Sequence, residues 1–236
     1  MRLDKYFSSQ KILSRSECGE YLKKGRIAVN GEIVKKGDLK IDPEKDEITL
    51  DKKPIKYEKY VYILLNKPFG VVSATEDGRD KTVIDLLPDS LQKRNLFPCG
   101  RLDKDTVGLV VITDDGESAH AALSPKKHVE KEYYFETADE YDEEDRKAIE
   151  GGLTLRDGYT TKPCKVERKS EKSGVITLTE GKYHEIKRLF GARGNKITFL
   201  RRDSFGGIRA DNLALGEWRY MTDEETKIFV SKKEKE

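Results

Sequence analysis

The sequence predicts an α+β protein of two domains. A small helix–helix–hairpin module spans 1–50, and a larger domain at 60–229 is built around a mixed, largely antiparallel sheet. Three observations carry this. A helix capping signal and a two-residue hairpin signal both fall within the first 42 residues. The stretch 51–59 is charged, contains Pro54 and keeps no sustained period, so it reads as a linker. From Tyr60 the texture changes to runs rich in Val, Ile, Leu and Tyr, interleaved with helical stretches through many links that are not crossovers.

In order along the chain, Arg2 to about Ser9 is a short helix with Leu3, Tyr6 and Phe7 on one side. Ser14-Arg-Ser-Glu17 is a capping box for a second helix, which runs to Lys24 and stops where Gly25 supplies a left-handed residue. Ile27–Val29 and Glu32–Val34 are strands joined by Asn30-Gly31, the strongest two-residue hairpin signal. The runs 61–65, 109–113, 131–137, 164–168, 174–179 and 196–201 read as strands of the second domain. Helical stretches fall near 82–87, 116–123, 142–150 and 185–192. Asp142-Glu-Glu-Asp145 complements the positive end of one of them, and Gly151-Gly152 ends it. Residues 230–236 read as a frayed, disordered tail.

Composition narrows the function classes. The longest apolar runs, such as Val61–Leu65, are too short to cross a bilayer, and the N-terminus has no apolar signal-peptide core. Cys18, Cys99 and Cys164 are odd in number and unclustered, which suggests neither a disulfide framework nor a metal site. His120, His128 and His184 are scattered, with His184 read as structural or a minor contact. The expectation is a cytoplasmic protein with no metal, no membrane and no cofactor. The formal net charge of +2 hides two basic islands. Residues 1–42 carry ten cations against six anions, and 182–202 carry seven cations against Glu185 alone. That distribution suits a polyanion held at two places.

Two tracts bear the chemistry. Residues 100–109, Gly-Arg-Leu-Asp-Lys-Asp-Thr-Val-Gly-Leu, set one carboxylate, Asp103, between Arg101-Leu102 and a turn that opens the apolar run Leu109–Ile112. An isolated Asp in such a turn is ordinarily a solvated turn former. Here a second tract accompanies it, Glu180-Gly-Lys-Tyr-His-Glu-Ile-Lys-Arg-Leu189, with Lys131-Glu-Tyr133 and Asn66-Lys-Pro-Phe-Gly70 elsewhere. Together these segments resemble the signature of the RNA pseudouridine synthases, in particular the RsuA-like enzymes that modify ribosomal RNA. The N-terminal module resembles the S4 RNA-binding domain through Arg2, Ser14, Arg15, Gly25, Arg26, Asn30 and Gly31.

The resemblance implies the reaction. Pseudouridine formation cuts the bond between ribose C1′ and uracil N1, turns the base and joins C1′ to C5, so neither redox cofactor nor nucleotide energy is required. The site needs an ionised carboxylate, a cation beside it and a surface for the detached base. Asp103 maps to the carboxylate, acting as nucleophile at C1′ or as base for a glycal intermediate. Lys187 maps to the cation. On the helix, Ile186, Leu189 and Phe190 form the buried stripe, and Lys187 lies about 100° from Ile186, free to face a cleft. Arg188 is the runner-up, or a phosphate contact. Tyr133 maps to the residue that stacks on the target base, an interaction worth about 1–3 kcal/mol. Arg101 is expected to contact a phosphate flanking the extruded nucleotide or to fill the vacated space.

In the first domain Arg2, Lys5, Arg15, Lys23, Lys24 and Arg26 are the expected RNA contacts, gripping shape and phosphates rather than sequence. The expected partner is ribosomal RNA or a subunit assembly intermediate, bound by a monomer. Met1–Phe7 and Thr82-Val-Ile-Asp-Leu-Leu87 look most like the small-subunit (16S) group. The alternatives are a synthase acting on 23S RNA, or a non-catalytic S4-type assembly factor, against which the intact Asp103, Tyr133 and Lys187 argue.

Overall fold

A computed structural model describes residues 1–231 of the chain. They form two compact units, Met1–Val61 with Pro88–Asn95, and Tyr62–Leu87 with Leu96 to the end of the described chain.

The first unit opens with α1 (Leu3–Ser9), which buries Leu3, Tyr6 and Phe7, and α2 (Arg15–Lys23). The capping box forms in full. The Glu17 amide donates to Ser14 Oγ at 3.2 Å, and the Ser14 amide donates to the Glu17 carboxylate at 2.7 Å. Asn30 and Gly31 both take positive φ, 51° and 83°, so the turn between β1 (Ile27–Val29) and β2 (Glu32–Ile33) has the twist that hairpin strands require. β3 (Ile48–Leu50) and β4 (Lys53–Pro54) complete an antiparallel sheet in the order β2-β1-β3-β4. A four-residue helix, α3 (Asp89–Gln92), also belongs to this unit.

The stretch 51–59 is therefore part of this unit rather than a linker. Tyr57 stacks on Tyr6 with ring centroids 5.4 Å apart, and the Tyr6 hydroxyl donates to the Ile55 carbonyl at 2.6 Å. Its two apolar side chains, Ile55 and Tyr57, pack on the core, while Pro54 sits on an edge strand where a missing N–H costs nothing. The first unit accordingly extends to Val61, beyond the expected boundary at 50.

The second unit contains β5 (Tyr62–Lys67), β6 (Phe97–Cys99), β7 (Val107–Thr113), α4 (Gly116–Leu123), β8 (Lys131–Thr137), α5 (Glu143–Gly151), β9 (Lys165–Arg168), β10 (Ser173–Leu178), α6 (Glu185–Ala192), β11 (Ile197–Phe205), β12 (Ile208–Arg209), β13 (Trp218–Tyr220) and α7 (Asp223–Val230). The main path of its sheet runs β13-β5-β7-β11-β8-β10-β9. Among the described pairs only β7 and β11 are parallel, so the sheet is mixed and largely antiparallel. All seven residues of β7 are buried, as its unbroken apolar run demands.

The parallel pair explains one glycine. At Gly108, with φ of 106°, an added Cβ would sit 2.3 Å from the backbone oxygen of Arg202 on the neighbouring strand. The Thr-Val-Gly-Leu motif thus fixes how closely β7 approaches β11, just downstream of Asp103.

Three points depart from the expectations or limit them. Residues 82–87 are a single turn, not a helix. Asp85 caps Thr82, accepting from its amide at 2.7 Å and its hydroxyl at 2.9 Å, but Pro88 forces Leu87 away from helical geometry before a second turn can form. Val230 ends α7, so residue 230 belongs to a helix rather than to the expected tail, and residues 232–236 of that expectation lie outside the described residues. The third is α7 itself, which the periodicity does not predict although its start carries a full capping box, Thr222 with Glu225. Among the described residues no helix is long and apolar enough to cross a membrane.

Candidate active site

Asp103 lies in the loop between β6 and β7, immediately before the strand that pairs in parallel with β11. The loop is held from several directions. The Thr106 amide donates to the Asp103 carbonyl at 3.0 Å. Ser73 bridges Leu102 in both senses, its hydroxyl donating to the carbonyl and accepting from the amide, each at 3.0 Å. From the Asn66–Gly70 turn, the Gly70 amide reaches the Lys104 carbonyl at 2.9 Å. The Lys67 ammonium, fully buried, donates to the carbonyls of Val71 at 2.6 Å, Pro68 at 3.1 Å and Lys104 at 3.4 Å. Burial pushes the Lys67 ammonium down to about 8, opposed by the nearby carboxylates of Asp105 and Asp103.

Helix α6 presents the cation. Ile186, Leu189 and Phe190 are its buried stripe, with Phe190 packed 4.7 Å from Phe135 of β8. Lys187 leaves that stripe toward the Asp103 loop. Its Nζ lies 2.8 Å from Asp103 Oδ2 and 2.5 Å from Asp105 Oδ1. Partial burial works against the charge on Lys187, but the hydrogen bonds to Asp103 and Asp105 hold its pKa above the ordinary lysine value. Asp105 is affected in the opposite sense: against its own burial, Lys187 keeps its carboxyl below the usual range.

Strand alternation sorts the aromatic residues of β8. Lys131, Tyr133 and Phe135 share the face toward α6, whereas Tyr134 turns the other way, edge-on to Phe199 and under Arg201. Tyr133 is 8 % exposed and lines one pocket with Arg101, Leu102, Asp103 and Lys187, closed by Leu178, Ile186 and Leu200. The pocket encloses about 460 Å³ including its open mouth. It combines an aromatic ring, an aliphatic wall and a carboxylate–ammonium pair, a set able to receive one extruded base and place a charged group beside it.

Arg188 is not at the carboxylate. It pairs with Asp157 at 2.5 Å and donates to the Tyr183 carbonyl, so its own turn of the helix carries it away from Asp103. The second basic island also has a different character from that expected. Arg193 pairs with Asp145 and Glu144, Arg201 pairs with Asp203, and Arg202 is buried with its Nε on the Leu109 carbonyl. Most of its charge is neutralised within the fold. Among the described residues of the island, Lys182 and Lys196 remain as exposed cations without a carboxylate partner.

In the first unit Lys5, Arg15, Lys23 and Lys24 are exposed. Arg2 pairs with Asp4 at 2.6 Å, and Arg26 pairs with Asp51 while lying 4.1 Å over the Tyr21 ring.

Two further residues belong to the site, one underrated by its sequence pattern and one that the pattern does not single out. His184 Nε2 lies 3.3 Å from Asp103 Oδ1, so both carboxylate oxygens have partners. Asp105 shares Lys187 with Asp103. His184 caps α6 in a left-handed conformation, φ 50°, which aims its ring back toward the carboxylate; nothing in the local pattern encodes that conformation.

Residues 61–192 match the RNA pseudouridylate synthase family, more than half of the chain. The chain belongs to that family. Residues 1–57 match the S4 domain, in agreement with the extended first unit. This synthase is 42 % identical to an uncharacterized RNA pseudouridine synthase of Bacillus subtilis, over 97 % of the chain and 98 % of the relative. It is 37 % identical to the ribosomal small subunit pseudouridine synthase A of Escherichia coli, over 98 % of the chain and 100 % of that protein. A crystal structure of a pseudouridylate synthase superposes with a TM-score of 0.70 at 37 % identity, covering 98 % of this chain and 100 % of the other.

Proposed function

We propose that this RNA pseudouridine synthase isomerises one uridine of small-subunit (16S) ribosomal RNA. In this reading Asp103 starts the cleavage of C1′–N1, Lys187 holds and orients its carboxylate, and Tyr133 stacks on the uracil as it turns. Arg101, exposed at the rim of the pocket, meets the backbone of the extruded nucleotide. The bond from C1′ to N1 breaks, a bond from C1′ to C5 forms, the C5 proton leaves and N1 gains one, so the product is an isomer. The observation that carries the reading is the Asp103–Lys187 contact of 2.8 Å inside a pocket walled by Tyr133. The small-subunit target is supported by end-to-end similarity to relatives named for that subunit. The S4 unit, with exposed Lys5, Arg15, Lys23 and Lys24, supplies phosphate contacts that tether the RNA or an assembly intermediate.

Carbodiimide mapping of pseudouridines in ribosomal RNA from a deletion strain tests this. One small-subunit pseudouridine should disappear and return on expression of the wild-type gene but not of Asp103→Asn. Loss of a large-subunit pseudouridine instead would reassign the substrate.

A further inference from the structure

A second carboxylate pair lies behind the site. Glu185, the first residue of α6, is 4 % exposed, and Glu180, in the segment leading into the helix, is 6 % exposed. Glu180 is well supplied with donors: the Lys162 amide at 2.7 Å on one oxygen and the Tyr159 hydroxyl at 2.5 Å on the other. Glu185 Oε2 accepts from the Lys182 amide at 2.7 Å, but its Oε1 is buried with no donor. The Glu180 and Glu185 carboxyls lie within hydrogen-bonding reach of one another, and two such buried groups do not both ionise unless cations compensate them. Lys131 of β8 acts on Glu185, but its ammonium donates to the Val129 carbonyl at 2.6 Å; burial and Arg202 of β11 depress it to about 8, so it is charged at pH 7 and offsets the pair only in part before losing that charge just above. On the Glu180 side the Lys162 ammonium adds a cation that favours ionisation of Glu180, and the Tyr159 hydroxyl and the Cys164 thiol are both pushed up to about 12 and so neutral.

We propose that Glu180 and Glu185 hold one proton between them, and that this acid pair positions the first turn of α6 so that His184 and Lys187 meet Asp103. The proton resides on Glu185, whose otherwise orphaned Oε1 becomes the donor to Glu180. Burial, and then contact with Glu180, pushes the Glu185 carboxyl up to about 7, while Glu180, against its burial, is held below the usual range by Lys162 and Tyr159. The link ties the 159–162 segment to the helix start one residue after His184 and two before Lys187. Glu185 is a positioning residue: it acts through those neighbours. When the proton leaves above neutrality, two buried negative charges oppose each other at the root of α6, and the contacts on Asp103 loosen. The inference rests on the roles proposed for Asp103 and Lys187.

The test is the pH profile of single-turnover tritium release from 5-tritiated ribosomal RNA of the deletion strain, for the wild type, Glu185→Gln and Glu185→Ala. An amide keeps a donor at all pH values, so Glu185→Gln should stay within about threefold of the wild type at pH 6 and lose the wild type's decline above pH 7. Glu185→Ala should be about tenfold or more slower throughout while melting cooperatively. Stability gives an independent readout. An unfolded Glu ionises above about 4.5, whereas the native one keeps its proton to about 7, so wild-type stability falls as pH rises between these values and that of Glu185→Gln does not. A carboxylic-acid infrared band in the wild type that titrates near neutrality supports the pair without any variant. Parallel rate profiles for the wild type and Glu185→Gln, or loss of that band below pH 5, would overturn the inference. Asp103→Asn in the same assay separates the two readings: an active Asp103→Asn sinks the catalytic assignment, while an inactive one with parallel profiles sinks only the acid pair.

Discussion

Lys187 Nζ lies 2.8 Å from Asp103 Oδ2 across 84 positions of sequence, and the same ammonium reaches Asp105 at 2.5 Å. One cation thus serves two carboxylates, and His184 covers the remaining Asp103 oxygen. The arrangement orients Asp103 through both its oxygens, so small changes in either partner should read out in turnover rather than in RNA affinity.

Asp103→Asn should abolish tritium release from 5-tritiated uridine RNA, by about 10³-fold or more, since an amide serves as neither nucleophile nor base. The substitution is nearly isosteric, so RNA affinity should stay within a few-fold. Filter binding beside the tritium assay checks both; substantial turnover by this variant would refute the assignment.

Lys187→Met should lower the rate by about 10²–10³-fold, as expected on removing one fixed electrostatic partner in a shielded site. Lys182→Met removes an exposed cation whose ammonium lies 4.6 Å from the Tyr159 ring, and should cost only a few-fold. Because Asp103 and Asp105 hold the Lys187 pKa above the usual value, Lys187 stays charged well past neutrality. It should therefore add no alkaline limb of its own near pH 8, where Lys67 and Lys131 titrate; a limb there that Lys67→Met keeps and Lys187→Met removes would contradict this.

Much of this architecture was legible because its signals are local. The Ser14–Glu17 capping box, the Asn30-Gly31 turn and the buried stripe of α6 each depend on residues within a few positions of one another. The strands β3, β4, β6, β12 and β13, of two or three residues, are too short to show a period: β3, β6 and β13 exist through pairing with partners 12 or more positions away, and β4 and β12 are the short arms of tight hairpins on β3 and β11. At the site, Asp103, Tyr133 and Lys187 could be named from their motifs, and the fold brings all three to one pocket. His184 could not be weighed, because its reach to Asp103 depends on a left-handed backbone angle at the helix cap. The pairing of Arg188 and of the second basic island was hidden for a related reason. Their acidic partners, Asp157, Asp145 and Glu144, arrive from segments remote in sequence.

Lys67 gives a prediction about support rather than chemistry. Its buried ammonium donates to three carbonyls, one of them in the loop that carries Asp103. Lys67→Met would take the donor from the Val71 and Pro68 carbonyls, at about 1–3 kcal/mol for each buried group, while the Lys104 carbonyl keeps the Gly70 amide. The melting temperature should fall at pH 7, and turnover should fall at temperatures where the variant is still folded. The sign with pH follows from the depressed pKa. A native lysine at about 8 against an unfolded value of 10.5 means that the unfolded chain binds more protons between these values. Wild-type stability therefore gains a rising contribution as pH climbs from about 8 toward 10.5, and Lys67→Met should lack it. Thermal melts of both proteins across that range measure the difference, and parallel curves would refute the depressed lysine.

The last prediction separates tethering from catalysis within the whole chain. Lys23 and Lys24 are exposed at the end of α2, in the unit that matches the S4 domain, and neither belongs to the pocket of Asp103. If they bind phosphates, replacing both with Ala should weaken binding to ribosomal RNA. The slope of log affinity against log salt should then fall by about 1.4–1.8, at ~0.7–0.9 for each phosphate no longer neutralised. Turnover at saturating RNA should be retained, because Asp103, Tyr133 and Lys187 are untouched. The same measurement on Arg26→Ala should show a smaller change in slope, since Arg26 is already paired with Asp51 and its charge is partly compensated before RNA arrives. An unchanged slope in the Lys23/Lys24 double variant, and again after adding Lys5→Ala and Arg15→Ala, would shift the dominant phosphate binding to the second unit. There Arg101, Lys182 and Lys196 are the exposed cations to test next, because the neighbouring arginines are already paired within the fold.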